Sequence, residues 1–260
     1  MWLQQQRTVW RRKNWTSTAL SLSPSSQTNP PTHPPHTKVP SFERVAALAD
    51  VNVKFLCSSN GCEHLIAVSH SGKAYACGYN GRGQLGLGHT HHEVIPVPLC
   101  GKLLSKQVVL VACTYYHSAL YVASREVYTF GRNSHGQLGV SDTIDRLEPE
   151  RVSALDSRAI SAIACGHYHT CFALTAGGVL SCGKNDYGQI GRDLSDDMKL
   201  TPTPVVSSLG HSELVIAISA GYYHTLALTS KGELYTYVLL DSLSLLNFTR
   251  LTQHIYTHNV

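Results

Sequence analysis

Gly131-Arg132-Asn133-Ser134-His135-Gly136-Gln137-Leu138-Gly139 decides the fold, because the chain writes this stretch three times. It stands earlier as Gly78-Tyr79-Asn80-Gly81-Arg82-Gly83-Gln84-Leu85-Gly86 and later as Gly183-Lys184-Asn185-Asp186-Tyr187-Gly188-Gln189-Ile190-Gly191. The first glycines are 53 and 52 positions apart. A fixed period of that length marks a repeat architecture, in which each unit buries its apolar face against the next.

A second marker keeps the same phase. His64, His117, His169 and His224 each fall 14 residues before the motif's first glycine position. Glycine lies three residues before three of them (Gly61, Gly166, Gly221), and Thr114 takes that place in the second copy. A short apolar run, a turn and a second apolar run follow each histidine. The fourth copy keeps this course to Tyr237 and then leaves it, with no further Gly-Gln-Leu-Gly.

Each copy reads as four short strands. In the second copy these are 94–99, 107–113, 117–122 and 126–130. Val108 to Val111 is a bounded apolar run of strand length, and Ala123-Ser124-Arg125 joins the last two strands as a hairpin. The matching hairpins carry Gly72, Gly177-Gly178 and Gly232, as positive φ requires. Four antiparallel strands per unit of about 52 residues describe a propeller blade. The fold class is therefore all-β: a partial β-propeller of about four blades over residues 45–237, behind a disordered N-terminal segment.

Composition sets the flanks apart. The chain of 260 residues is 43% hydrophobic and 15% charged, enough for a folded core. Residues 1–44 hold six Lys or Arg against Glu43 alone, while the remainder balances at −1, which is not a nucleic-acid-binding surface. Ser17 to Pro40 is rich in Ser, Thr and Pro without apolar periodicity, so it is expected to stay disordered. The basic run Arg7 to Lys13, with Trp10 inside it and Trp15 beyond, reads first as a solvated tail, with nucleic acid or an acidic surface as its weaker partner reading. The absence of acids before Glu43 gives a mitochondrial presequence as the alternative to a cytoplasmic or nuclear location. Residues 238–260 match no repeat position, and a replaced end is the expected explanation. No apolar run reaches the roughly 20 residues of a membrane span.

The motifs carry structure rather than chemistry. Gly81-Arg82-Gly83-Gln84-Leu85-Gly86 spells the dinucleotide fingerprint, but the other copies lose its first glycine and keep Gly-Gln-Leu/Ile-Gly. Asn80, Asn133 and Asn185 are expected to bond to nearby backbone, and the aliphatic residue to plug the blade interface. The four histidines, on separate blades, are expected to tie loops down through main-chain groups. Cys77 and Cys182 share their position with Phe130 and Tyr237, and Cys113 and Cys165 share theirs with Ala220, so these thiols behave as small core residues. Cys57 and Cys62 have no second pair in sequence to complete a zinc site. No cofactor and no metal is expected, and no nucleophile–base pair or phosphate loop points to an enzyme.

The segment Phe130 to Gly139, with the phased histidines, resembles the repeat family of the regulator of chromosome condensation. The resemblance covers about residues 45–237 and implies a seven-bladed propeller in complete members. Family functions include nucleotide exchange on a small GTPase with chromatin binding, recruitment within ubiquitin ligases, ciliary scaffolding and mitochondrial ribosome factors. A non-catalytic protein-interaction module is the leading expectation; an exchange factor is the alternative. Partner contacts are expected on the loops that vary between copies: His89, His91 and His92; Asp142, Asp145 and Arg146; Arg192, Asp196 and Asp197.

Overall fold

The structure is a computed structural model describing residues 44–59, 62–99, 101–195, 197–205 and 214–237. The segment expected to be disordered, apart from Arg44, and the tail at 238–260 lie outside these residues. The chain divides into two units, 1–49 and 50–260. In the first, Ala46–Leu48 forms a 3-10 turn.

The second unit is built from four antiparallel sheets, each in chain order. The first holds β1 (Val53–Cys57), β2 (His64–Ser69), β3 (Ala74–Gly78) and β4 (Glu93–Pro98). The second holds β5 (Val108–Cys113), β6 (His117–Val122), β7 (Val127–Gly131) and β8 (Arg146–Arg151). The third holds β9 (Ile160–Cys165), β10 (His169–Leu174), β11 (Val179–Lys184) and β12 (Met198–Pro204). The fourth shows β13 (Val215–Ala220), β14 (Thr225–Thr229) and β15 (Leu234–Tyr237). No α-helix occurs among the described residues.

Sheet and sequence copy are out of phase. The sequence groups 94–99 with the strands that follow it, yet β4 pairs with β3, through Gly78↔Glu93 and Ala76↔Val97. The reason is local: the Gly-Gln-Leu-Gly loop turns the chain back beside the strand it has just left. A 3-10 turn, Gly101–Leu103, then carries it to the first strand of the next sheet, and Ser153–Leu155 repeats the device.

The core lies between sheets. One cluster joins Ile66, Val68 and Leu85 to Leu120, Val122 and Phe130; a second joins Tyr121 and Val127 to Phe172, Leu180 and Cys182. A third joins Cys171, Ala173 and Val179 to Val215, Ala227 and Tyr237. The middle strands β6 and β10 are buried along nearly their whole length, because both their faces pack on neighbouring sheets. Such strands read as continuous apolar runs without alternation. Leu85, Leu138 and Ile190 are fully buried, each carried by its motif loop.

Candidate functional site

Each motif glycine that opens the loop is fixed by a close approach. Gly131 has φ +102°, and a Cβ there would stand 2.3 Å from the Tyr116 carbonyl oxygen; Gly78 and Gly183 meet the same obstacle at Glu63 and Tyr168. The loop then folds around its amides. Asn80 Oδ1 accepts from Leu85 N at 2.9 Å, and Asn133 Oδ1 from Leu138 N at 3.0 Å. Asn185 Oδ1 receives Ile190 N at 3.4 Å. The Asn Nδ2 groups reach outward, to the carbonyls of His89 and His91, of Asp142, and of Asp193. The Gln84, Gln137 and Gln189 Oε1 atoms accept backbone N–H groups two residues earlier, at 2.9 Å each. Gly83, Gly86, Gly136, Gly139, Gly188 and Gly191 all take positive φ in these turns.

The histidines differ from expectation in their partner. His64 Nε2 lies 2.8 Å from Ser118 Oγ, His117 Nε2 2.8 Å from Thr170 Oγ1, and His169 Nε2 2.9 Å from Thr225 Oγ1. Each hydroxyl belongs to the next sheet and sits one residue after that sheet's own histidine. Main chain enters one step later: Ser118 donates to Gln84 O, Thr170 to Gln137 O and Thr225 to Gln189 O. A hydroxyl has one proton to give. With that proton on the carbonyl, the imidazole must donate Nε2–H, which leaves Nδ1 bare. The relay is therefore a stitch between sheets. Its sequence signal, Ser or Thr directly after the histidine in copies two to four, is legible once sought. Burial pushes the His117 and His169 pKa values down to about 3 and lowers that of His224.

On the same rim, a set of side chains that sequence reasoning passed over comes together. The two residues before the marker histidine are Tyr115-Tyr116, His167-Tyr168 and Tyr222-Tyr223 in copies two to four. His167 stacks on Tyr222 with ring centroids 3.7 Å apart and meets Tyr115 at 5.2 Å. Arg132, from the second position of its motif, has its guanidinium 5.2 Å from the Tyr116 ring and 5.1 Å from the Tyr168 ring. Tyr187 packs on Tyr223 at 4.6 Å. Tyr187, Tyr222 and Tyr223 remain 43%, 44% and 39% exposed. The His167 pKa is lowered to about 4 by burial, with Arg132 and His135 adding repulsion.

The loops expected to hold partners emerge beside this rim, and several of their residues are already engaged. His92 Nδ1 and Asp145 Oδ1 accept the backbone N–H of Asn80 and Asn133, and the Asp197 carbonyl accepts that of Asn185. His92 also stacks on Tyr79, and His89 lies 3.7 Å from Glu93. Asp142 pairs with Arg146, which opens β8 opposite Gly131 and is not the loop residue expected, and Arg192 donates to the Pro204 carbonyl at 2.8 Å. Asp196 lies outside the described residues.

One further cluster escaped the spacing argument on cysteines. Cys62, His64 and Cys113 place their ligand atoms within 4.8 Å of one another, and Cys57 Sγ lies 3.2 Å from Cys113 Sγ. The missing ligands come from another strand and another sheet. A hydrogen bond from Cys113, with His64 assisting, lowers the Cys62 pKa to about 4.

Three four-stranded sheets and a fourth with three described strands, joined by the same histidine-to-hydroxyl stitch at each interface, define an arc of a β-propeller. The chain belongs to the family of the regulator of chromosome condensation (RCC1) repeat, which matches residues 71–121, 126–173 and 176–228. It is 33% identical over 192 residues to the ultraviolet-B receptor UVR8 of Arabidopsis thaliana, covering 74% of this chain and 42% of that one. It is 34% identical over 197 residues to the probable E3 ubiquitin-protein ligase HERC4 of Homo sapiens, covering 75% of this chain and 18% of that one. The chain thus spans less than half the length of these relatives. The structure of Prp20p from Saccharomyces cerevisiae, reported with its binding properties to Gsp1p and histones, superposes with a TM-score of 0.62. It is 21% identical, and the match covers 77% of this chain and 47% of Prp20p. No helix among the described residues is long and apolar enough to cross a membrane.

Proposed function

We propose that the chain is a non-catalytic protein-interaction module whose docking face is the tyrosine-rich rim around Arg132. The observation that carries this reading is the partly exposed array of Tyr187, Tyr222 and Tyr223, continuous with an arginine held between two further rings. Tyrosine and arginine dominate binding hot spots because they give large contact area at low entropic cost. Three motif loops on it are tied down by Asn80, Asn133 and Asn185, and the strand starts beneath it are joined by the histidine contacts. A role as scaffold or substrate-recruiting adaptor, within a ubiquitin-ligase pathway, fits the likeness to HERC4. A cytoplasmic or nuclear location goes with it, and the comparisons lend no support to the mitochondrial alternative.

The test is quantitative capture of partners by the full chain, by a rim variant (Arg132→Ala with Tyr187→Ala and Tyr222→Ala) and by an opposite-rim variant at Arg125. Partners lost only with the rim variant support the reading; partners kept by it refute it. The second reading is an exchange factor for a small GTPase, for which the fold shared with Prp20p is the only support. Accelerated nucleotide release from any member of a GTPase panel would favour it over the adaptor.

A further inference from the structure

We infer that Cys62, His64 and Cys113, completed by Cys57, form a Zn(II) site that clasps the first sheet to the second. Cys57 ends β1, Cys62 and His64 lead into β2, and Cys113 ends β5, so the ligands come from both sides of one sheet interface. Cys62 Sγ is 3.2 Å from His64 Nδ1, and Cys57 Sγ is 3.2 Å from Cys113 Sγ. The three atoms of Cys62, His64 and Cys113 fall within 4.8 Å of one another. Tetrahedral zinc, with Zn–S near 2.3 Å and Zn–N near 2.0 Å, sets sulfurs about 3.7 Å apart and sulfur and nitrogen about 3.5 Å apart. The two close contacts, at 3.2 Å each, are shorter than those values by about half an ångström or less, so the ligands need only spread slightly to admit the ion, and Cys57 joins by a side-chain rotation from its contact with Cys113.

Two independent observations point to a ligand. The first is where the cysteines occur. By strand register, Cys57 pairs with Ile66 where the other sheets pair Ala112 with Ala119, Ala164 with Cys171 and Ser219 with Leu226; at the position of Cys62 the other copies have Tyr115, His167 and Tyr222. Both departures fall in the one copy whose strand ends meet Cys113, so the first copy gives up its share of the aromatic rim and gains a thiol cluster. The second is the orientation of His64. Its Nε2–H is committed to Ser118 Oγ, and Ser118 to Gln84 O, which turns the Nδ1 lone pair toward Cys62. In His117 and His169 the same bare Nδ1 finds no hydrogen-bond partner among the described residues. A metal-bound imidazole is held by such a bond from its other nitrogen. Binding releases to solvent the protons still carried by the thiols.

The test uses the full chain, purified in reductant, stripped with chelator and titrated with Co(II) and then Zn(II). The expected result is a tetrahedral Co(II) spectrum with strong sulfur-to-metal charge transfer, stoichiometric displacement by zinc, and a metal-dependent rise in Tm. Cys62→Ser and Cys113→Ala should each weaken binding at least about 100-fold, beyond what second-sphere changes cost. Alanine already occupies the Cys113 position in the fourth copy, as Ala220, so that variant is expected to fold. Cys77→Ser, and the triple alanine variant of His89, His91 and His92, should leave the spectrum unchanged. A weak octahedral spectrum without charge transfer in the unmutated chain overturns the proposal. So does metal lost with the histidine triple. A Cys57–Cys113 disulfide that forms in air, with no metal uptake after its reduction, overturns it too.

Discussion

Thr170 Oγ1 gives its proton to the Gln137 carbonyl, and His117 must therefore give its own to Thr170. Removing the hydroxyl strands the buried His117 N–H and leaves the Gln137 carbonyl with only the weaker Cys182 thiol among the described side chains. Thr170→Val, nearly isosteric, is expected to cost about 1–3 kcal/mol, readable as a lowered denaturant midpoint with unchanged m. The same chemistry makes stability depend on pH. His117 and His169 are held neutral by burial, with pKa values of about 3. In the unfolded chain they bind a proton once pH falls below about 6.5. The unfolded state then carries more protons than the folded one, so stability falls with pH, by roughly 1.4 kcal/mol per unit per histidine. The Tm should drop from about pH 6.5 down toward the folded pKa values of about 3, and the part between about 6.5 and 4.5 is read before most carboxylates titrate. A flat profile there would mean the rings are not buried neutral.

The hairpins between second and third strands show how far local chemistry writes an element. Gly72, Gly177 and Gly232 take positive φ at the third step after the second strand's closing hydrogen bond, and Arg125 does so in the second copy with φ 62°. A side chain in the left-handed region costs about 1 kcal/mol that glycine avoids. Arg125→Gly is thus expected to stabilise the chain by roughly 0.5–1 kcal/mol, despite glycine's greater entropy loss. Differential scanning calorimetry on the two proteins decides it; a lowered Tm would show that Arg125 has a role beyond the turn. These hairpins and the strands β5, β6 and β7 were legible because period, turn residues and apolar runs are all local, whereas the start of β8 reads as part of a loop. The pairing of β4 with β3 was not, since it depends on where the motif loop sends the chain. The stitch was hidden for a related reason: the sequence shows His117 and Thr170, but only stacking brings two residues 53 positions apart within a hydrogen bond. The aromatic rim escaped notice because the first copy has Cys62-Glu63 where the others have paired rings, which breaks the pattern at its first appearance.

In a stacked array, stability is the sum of unit terms and nearest-neighbour interfaces, so the position of a lesion matters as much as its size. The described residues contain three stitched interfaces, at His64–Ser118, His117–Thr170 and His169–Thr225. The position equivalent to Ser118 in the first sheet is Leu65, which has no hydroxyl to receive a histidine from a preceding sheet. The relay therefore starts at His64, and the first sheet can only donate. Among the described residues, the His117–Thr170 interface has a stitched interface on either side, and the His169–Thr225 interface has one on its N-terminal side. Thr170→Val and Thr225→Val remove chemically matched bonds, yet they are expected to differ in consequence. Thr225→Val should raise hydrogen exchange in β13 to β15 and leave the first two sheets protected, because the lesion releases only the sheet beyond it. Thr170→Val should raise exchange on both sides of its interface and broaden the thermal transition, because it loosens the first two sheets from the third and fourth. Equal and uniform exchange in the two variants would mean that the sheets unfold as one unit, and that the histidine stitches do not set the boundaries of cooperativity.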